Sequence, residues 1–367
     1  MANGPDRTEL PAGLVWVNDG VPGIRRRRRG RGFAYVDAQG APVRDAPTLQ
    51  RIRRLAVPPA YAAVWICPLP QGHLQATGRD ARGRKQYRYH PLWQAERGAT
   101  KFDQLRHIGP ALARVRRRVQ RDLRAARGAP TRQVVLATLV RLLDTTCLRV
   151  GNEAYARDNG SYGLTTLRSS HADVAGSALR LRFRGKGGVL HECELDDARI
   201  ARVVRRCREL PGQELFQYQE ADGTLHPIGS AEVNAYLAEA AGLRITAKDF
   251  RTWHASVQAL ELLLQACEAG ARETAGAPQP RSATEIVAAV ARRLGNTAAV
   301  CRKAYIHPRV LELAAATLPD AQRRAALLEA PWVGAVGRAT PPLRRAERQL
   351  LALLRRSAGT PLATRFT

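Results

Sequence analysis

Residues 178–195 read ALRLRFRGKGGVLHECEL. Leu179, Leu181 and Phe183 alternate with Arg180, Arg182 and Arg184, and a period of two puts the apolar side chains on one face of a strand and the guanidiniums on the other. Gly185-Lys186-Gly187-Gly188 breaks the alternation and 189–195 returns, which makes the stretch a β-hairpin with a lysine at its tip. On both sides the apolar spacing becomes helical: 105–126 and 131–143 before the hairpin, then 198–210, 230–241, 252–269 and 282–294 after it. A mainly helical body with one small sheet is therefore expected from about residue 99.

Toward the N-terminus, Gly and Pro punctuate short alternating segments: Leu14-Val15-Trp16-Val17, Phe33-Ala34-Tyr35-Val36 and Val64-Trp65-Ile66. That texture predicts a small, mostly β domain with a helix near 48–55. The run Arg25 to Arg29, followed by Gly-Arg-Gly, reads as a basic loop suited to solvent or to phosphate contact. Past residue 316 the chain is rich in Arg, Ala and Leu, with helical spacing over 343–356. The fold class expected is α+β. A β-rich N-terminal domain covers 1–98, a mainly helical domain with its hairpin covers 99–315, and a basic, partly helical tail covers 316–367.

Charge narrows the partner. The 367 residues carry 59 Lys and Arg against 32 Asp and Glu, a net charge of +27; the pI is near 11.2. Such an excess repels itself in a compact chain, so a polyanionic partner is implied. Nucleic acid fits better than an anionic membrane surface, since no long amphipathic anchor is visible. No apolar run approaches the roughly 20 residues that cross a bilayer, and the first ten residues hold no signal-peptide core. A cytoplasmic, nucleoid-associated monomer is the expectation. The six cysteines show no CxxC or Cys/His spacing, so reduced, mostly buried thiols are expected, with neither zinc nor disulfides.

Breaking a backbone phosphodiester takes a nucleophile, cations on the non-bridging oxygens and an acid for the departing oxygen. The sequence has no DxD or comparable acidic constellation for magnesium and no Walker loop for ATP. The cations must then come from the protein, and no cofactor is expected. Only five of the 59 basic residues are lysine: Lys85, Lys101, Lys186, Lys248 and Lys303. Arginine, with a pKa above about 12, is a poor proton donor, whereas lysine starts near about 10.4 and shifts readily. One of the few lysines stands at the hairpin tip.

Four segments supply these groups in order: Cys147 to Glu153 around Arg149, the hairpin around Lys186, Thr246 to Trp253 around Arg251, and Leu294 to Pro308, which holds Asn296 and Tyr305. Their order and local sequence resemble the type IB DNA topoisomerases of the short poxviral and bacterial kind, over roughly residues 12–315. The resemblance implies that Tyr305 is the nucleophile of a 3′-phosphotyrosyl link, that Arg149 and Arg251 grip the scissile phosphate, and that Lys186 protonates the 5′-oxygen. Asn296 stands where poxviral and eukaryotic members carry histidine, and would donate a hydrogen bond to a phosphate oxygen. Lys248, three residues before Arg251, falls near the phosphate as an auxiliary to proton transfer. In the N-terminal domain Arg84, Lys85, Gln86, Tyr87 and Tyr89 resemble the family strand that enters the major groove, with Gln86 reading a base edge. Tyr155 falls at a phosphate-contact position.

The activity so implied is relaxation of duplex DNA, preferably supercoiled, by transient single-strand cleavage, strand rotation and religation without ATP or metal. The two domains would form a clamp around the duplex. Local alternatives stand beside it: Arg149 paired with Glu153, Tyr305 as an ordinary helix end before Pro308, and the aromatics of 87–89 packed inward. A tyrosine recombinase shares the nucleophile and the arginine pair, but usually has His-x-x-Arg where this chain has Lys248-Asp249-Phe250-Arg251. A non-catalytic nucleoid-binding protein accounts for the charge and leaves the ordered motifs unexplained.

Overall fold

A computed structural model describes residues 10–125, 128–272, 282–334 and 343–356. The chain divides into two units, with the boundary between Phe102 and Asp103. The first unit is an antiparallel sheet in the order β2-β1-β3-β4-β5, formed by β1 (Ile24–Arg29), β2 (Gly32–Val36), β3 (Ala62–Ile66), β4 (Leu74–Arg79) and β5 (Lys85–Tyr89). Helix α1 (Ala46–Arg54) lies between β2 and β3 in sequence, and α2 (Pro91–Asp103) follows β5. Ile24, Ile52, Val64, Ile66 and Ala76 close the core between sheet and α1.

The arginine run is not a loop. Arg25 to Arg29 form most of β1 and pair with Val36 to Gly32, the chain reversing at Gly30 with a positive φ of 57°. Arg26 explains how arginine takes a strand position. Its guanidinium donates to the carbonyls of Val57 and Pro58, both at 3.1 Å, and of Tyr61, and lies 4.1 Å from the centroid of Phe33. A long cationic side chain thereby satisfies a loop's carbonyls over an aromatic ring. Period-two reading missed it because every position of the strand after Ile24 is arginine.

The second unit contains α3 (Leu105–Arg124), α4 (Arg132–Thr146), α5 (Glu153–Asn159), the three strands β6 (Ala172–Ala175), β7 (Ala178–Arg184) and β8 (Leu190–Asp196), then α6 (Ala198–Glu209). A two-stranded ribbon of β9 (Gln217–Gln219) and β10 (Leu225–Pro227) precedes α7 (Ser230–Ala241), α8 (Ala247–Arg272), α9 (Ala283–Leu294), α10 (Ala298–Ala304), α11 (Pro308–Thr317), α12 (Ala321–Glu329), α13 (Pro331–Gly334) and α14 (Arg345–Arg356). In α3 the buried Leu105, Ile108, Leu112, Val115 and Val119 recur every three or four residues. Helix α4 is buried on every side from Val134 to Val140. Helix α8 starts five residues earlier than the apolar spacing suggests, because Asp249 accepts from the Thr246 backbone N–H at 2.8 Å and from its hydroxyl at 2.9 Å. Lys248 and Arg251 thus sit on a helix rather than ahead of one.

The register of β7 on β8 pairs Arg184 with Leu190 and leaves Lys186 in the connecting turn, where Gly187 and Gly188 both take φ of 77°. Residues read from the sequence as a basic tail form α12 to α14, and Glu347 of α14 is wholly buried. Its carboxylate pairs with Arg116 of α3 at 2.7 Å. Arg116 also pairs with Asp144 of α4 at 2.7 Å, and Asp144 lies 3.0 Å from His254 of α8. The Trp253 indole donates to Glu347 at 3.2 Å. All six cysteines are free thiols. Among the described residues no helix is long and apolar enough to cross a membrane.

Candidate active site

Two helix C-termini set up the site. Helix α4 ends at Cys147, a non-glycine residue held in the left-handed region at φ 57°, and α9 ends at Gly295 at φ 61°. Arg149 follows the first end and Asn296 the second. Arg251, 4 % exposed on α8, donates from Nη1 to the Cys147 carbonyl and from Nη2 to the Leu294 carbonyl at 2.8 Å. A cation thus satisfies orphan carbonyls at two helix ends, where the helix dipoles favour it. One side chain pins both turns.

Arg149 then reaches across, its Nη2 donating to Asn296 Oδ1 at 2.6 Å. This settles the local alternative: Arg149 bonds Asn296 rather than Glu153, and Glu153 opens α5 behind an Asn152 cap. Tyr305 closes α10, with the Arg251 guanidinium 5.3 Å from its ring centroid. Burial, then the like charge of Arg251, lowers the pKa of Arg149, while Tyr305 opposes the shift; arginine stays cationic through such a change. Three donors are left over. Arg149 Nη1, Arg251 Nε and Asn296 Nδ2 are buried and bond to nothing in the protein. Each unsatisfied buried donor costs about 1–3 kcal/mol, so three in one cluster make a receptor for an oxyanion.

The remaining candidates are surface residues of the second unit or belong to the first unit. Lys186 is exposed in the hairpin turn, and Lys248 is exposed one helical turn before Arg251. Tyr155 is 48 % exposed on α5. In the first unit β5 is an edge strand. Tyr87 and Tyr89 stack on one face with centroids 6.0 Å apart, Tyr87 exposed and Tyr89 half-buried. The aromatics are therefore not simply core. Gln86 Nε2 donates to Asp80 at 3.0 Å, Arg84 pairs with the same carboxylate at 2.7 Å and Lys85 pairs with Asp19 at 2.5 Å. Hydrogen bonding from Arg84 holds the Asp80 carboxyl down at about 2.

Sequence reasoning overlooked the residues that hold Tyr305 and the hairpin. The buried Ser256 Oγ accepts from the His307 N–H at 2.9 Å and lies 3.3 Å from the Tyr305 carbonyl. His307 accepts from the Arg309 N–H and caps α11, with Pro308 at its first position; burial and Arg309 push its pKa down to about 4. Tyr305 is thus fixed at a break between two helices. A lone serine inside an apolar helical stretch carries no signal for that role. Among the described residues no group of three or more His, Cys, Asp or Glu side chains could hold a metal ion.

Residues 90–330 match the family described as eukaryotic DNA topoisomerase I, catalytic core, and residues 32–80 match the bacterial DNA topoisomerase IB N-terminal domain. The first match spans well over half of the chain, and the chain belongs to the type IB DNA topoisomerases, the isomerases that relax supercoiled DNA. It is 28 % identical over 297 residues to the DNA topoisomerase 1B of Acanthamoeba polyphaga mimivirus, covering 80 % of this chain and 88 % of that one. Against the DNA topoisomerase 1B of vaccinia virus (strain Western Reserve) it is 20 % identical over 277 residues, covering 73 % and 82 %. Against the DNA topoisomerase 1 of Mycosarcoma maydis it is 30 % identical over 184 residues, covering 45 % and 18 %.

Proposed function

We propose that this topoisomerase cleaves one strand of duplex DNA through Tyr305, whose phenolic oxygen displaces the 5′-oxygen and leaves a 3′-phosphotyrosyl ester. The observation that carries the reading is the set of unsatisfied donors beside that phenol: Arg149 Nη1, Arg251 Nε and Asn296 Nδ2. Non-bridging oxygens of a phosphodiester supply the missing acceptors, and the bonds tighten as charge builds on them in the transition state. Lys186 gives its proton to the departing 5′-oxygen, with Lys248 an auxiliary on the same side of the reaction. The ester conserves the energy of the broken bond, so the freed strand rotates under superhelical torque and its 5′-hydroxyl reverses the attack. In the first unit Tyr87, Tyr89 and Gln86 take a further grip on the duplex, and Tyr155 adds a phosphate contact. The two units act as a clamp on supercoiled DNA, the protein working as a nucleoid-associated monomer.

Relaxation of a supercoiled plasmid tests the whole reading. It is expected to proceed in EDTA without nucleotide, since the stabilising charges are arginines; a strict need for magnesium or ATP would overturn the mechanism. The acid is tested through the leaving group. Lys186→Ala is expected to cleave an ordinary duplex slowly yet cut a 5′-bridging phosphorothiolate nearly as fast as the unmutated enzyme, because a thiolate departs without a proton. Arg149→Ala should stay slow on both. A Lys186→Ala enzyme equally impaired on oxygen and sulfur would show that the lysine only holds the phosphate.

Asn296 gives a graded result. Asn296→Ala removes one oxyanion donor and orphans the Arg149 Nη2 bond, a loss on the order of 10²-fold in cleavage rate. Asn296→His, which can still donate, should retain much of the activity. A fully active alanine variant would make Asn296 a turn residue only.

A further inference from the structure

His191 has no part in the steps above, yet it touches the residues that immediately precede two of the groups that do. It lies on β8 opposite Phe183 of β7, and the two rings stack 5.4 Å apart with planes 23° from parallel. A Cβ added to Gly185 would fall 2.5 Å from the imidazole Cδ2, and one added to Gly295 would fall 2.6 Å from its Cε1. Both glycines are therefore in direct contact with the ring and have no room for a side chain. Gly185 immediately precedes Lys186, and Gly295 immediately precedes Asn296. Beside the ring a cavity of about 410 Å³ opens between β8 and the end of α9, lined by Thr146, Leu190, Arg293 and the ring itself. Removing the ring would enlarge a space that is already unfilled and free the hairpin to shift. Burial first, and then the charges of Arg149 and Arg251, lower the imidazole's pKa from its ordinary value, which keeps it a neutral wedge.

We propose that His191 is a positioning residue of the cleavage site: wedged between Gly185 and Gly295, its ring sets the register of Lys186 on the hairpin against Asn296 and its partner Arg149. The inference rests on the proposed roles of Lys186 and Asn296 at the scissile phosphate. The hairpin is anchored at its base by the β6-β7-β8 sheet, but its tip carries a lysine on a glycine-rich turn that has no stiffness of its own. Proton transfer needs the donor within hydrogen-bond reach of the leaving oxygen. A flat ring filling the gap between two glycines supplies that rigidity where hairpin and asparagine turn meet through it.

The test is single-turnover cleavage by the full-length protein of duplexes with a 5′-bridging oxygen or a 5′-bridging sulfur. His191→Ala is expected to slow the oxygen duplex by roughly 10–100-fold, as a displacement near 1 Å can, and to recover most of that loss on the sulfur duplex. His191→Phe, which keeps a flat ring, should restore most of the rate. Combined with Lys186→Ala, His191→Ala should add no more than roughly a twofold further loss, since the two act through one proton transfer. Gly185→Ala approaches from the other side: its φ of −96° suits alanine, but the methyl drives into the ring, and the same oxygen-selective defect is expected. That variant keeps the proposal exposed if His191→Ala does not fold. Unimpaired cleavage by both variants, an equal loss on both duplexes, or losses that multiply with Lys186→Ala would overturn it. Should Lys186→Ala itself be equally slow on oxygen and sulfur, the lysine's acid role fails, and the double-variant comparison still decides whether His191 acts through it.

Discussion

Tyr305→Phe is expected to bind duplex DNA close to normally and to form no covalent adduct, a loss of roughly 10⁴-fold or more in cleavage, the scale seen when a covalent nucleophile is removed. The lost oxygen is the group that attacks, while the ring that Arg251 faces at 5.3 Å is kept. The backbone should not move either, since Tyr305 is pinned through its own main chain: its N–H bonds the Cys301 carbonyl at 3.0 Å and its carbonyl sits by Ser256. The variant therefore separates chemistry from folding and binding. Denaturing gels of duplexes labelled at either end of the cut strand check it. An adduct that survives in Tyr305→Phe, or one joined to a 5′ end, would displace Tyr305 as nucleophile.

The second large effect is on stability and falls far from the phenol. Arg116→Met is expected to destabilise the second unit by about 3–5 kcal/mol, the usual cost of breaking a buried ion pair from one side. It leaves two buried carboxylates, Asp144 and Glu347, without their shared cation. Burial by itself would raise both pKa values; hydrogen bonds from His254 and Arg116 to Asp144, and from Arg116 to Glu347, hold both below the ordinary carboxylate range. A depressed folded-state pKa adds stability that is present above the unfolded value, near ~4, and is lost as pH falls through the folded value. In Arg116→Met the burial effect on Glu347 is no longer opposed by Arg116, so the deficit should be full at pH 7 and narrow toward pH 4. Thermal melts at the two pH values check this; an equal deficit at both would mean that Arg116 contributes packing rather than charge. Because Asp144 lies on α4 just ahead of Cys147, and His254 on α8 one turn past Arg251, cleavage should weaken together with stability.

Much of this protein was legible in its sequence, and for identifiable reasons. The hairpin from 178 to 195 announces itself because one face of β7 is buried at Leu179, Leu181 and Phe183 while the other is polar, and a half-buried strand writes its period into the chain. Helices α3, α6, α7 and α9 are likewise visible, each with one buried stripe. The chemical groups could be named because phosphoryl transfer restricts the residue types that serve it, and the five lysines and the ordered motifs were few enough to single out. Other features needed the tertiary structure. Strand β1 is polar at nearly every position and exists because Arg26 finds carbonyls at Val57, Pro58 and Tyr61, some thirty residues away. The link between α14 and α3 depends on Glu347 meeting Arg116 across 231 residues. The union of Arg149, Arg251, Asn296 and Tyr305 depends on one guanidinium bridging the ends of α4 and α9, and the place of His191 depends on two glycines more than a hundred residues apart closing on one ring. Sequence periodicity records which face of an element is buried. It carries no record of which distant partner completes a polar site, because that is decided by hydrogen bonds and contacts formed only once the helices have packed.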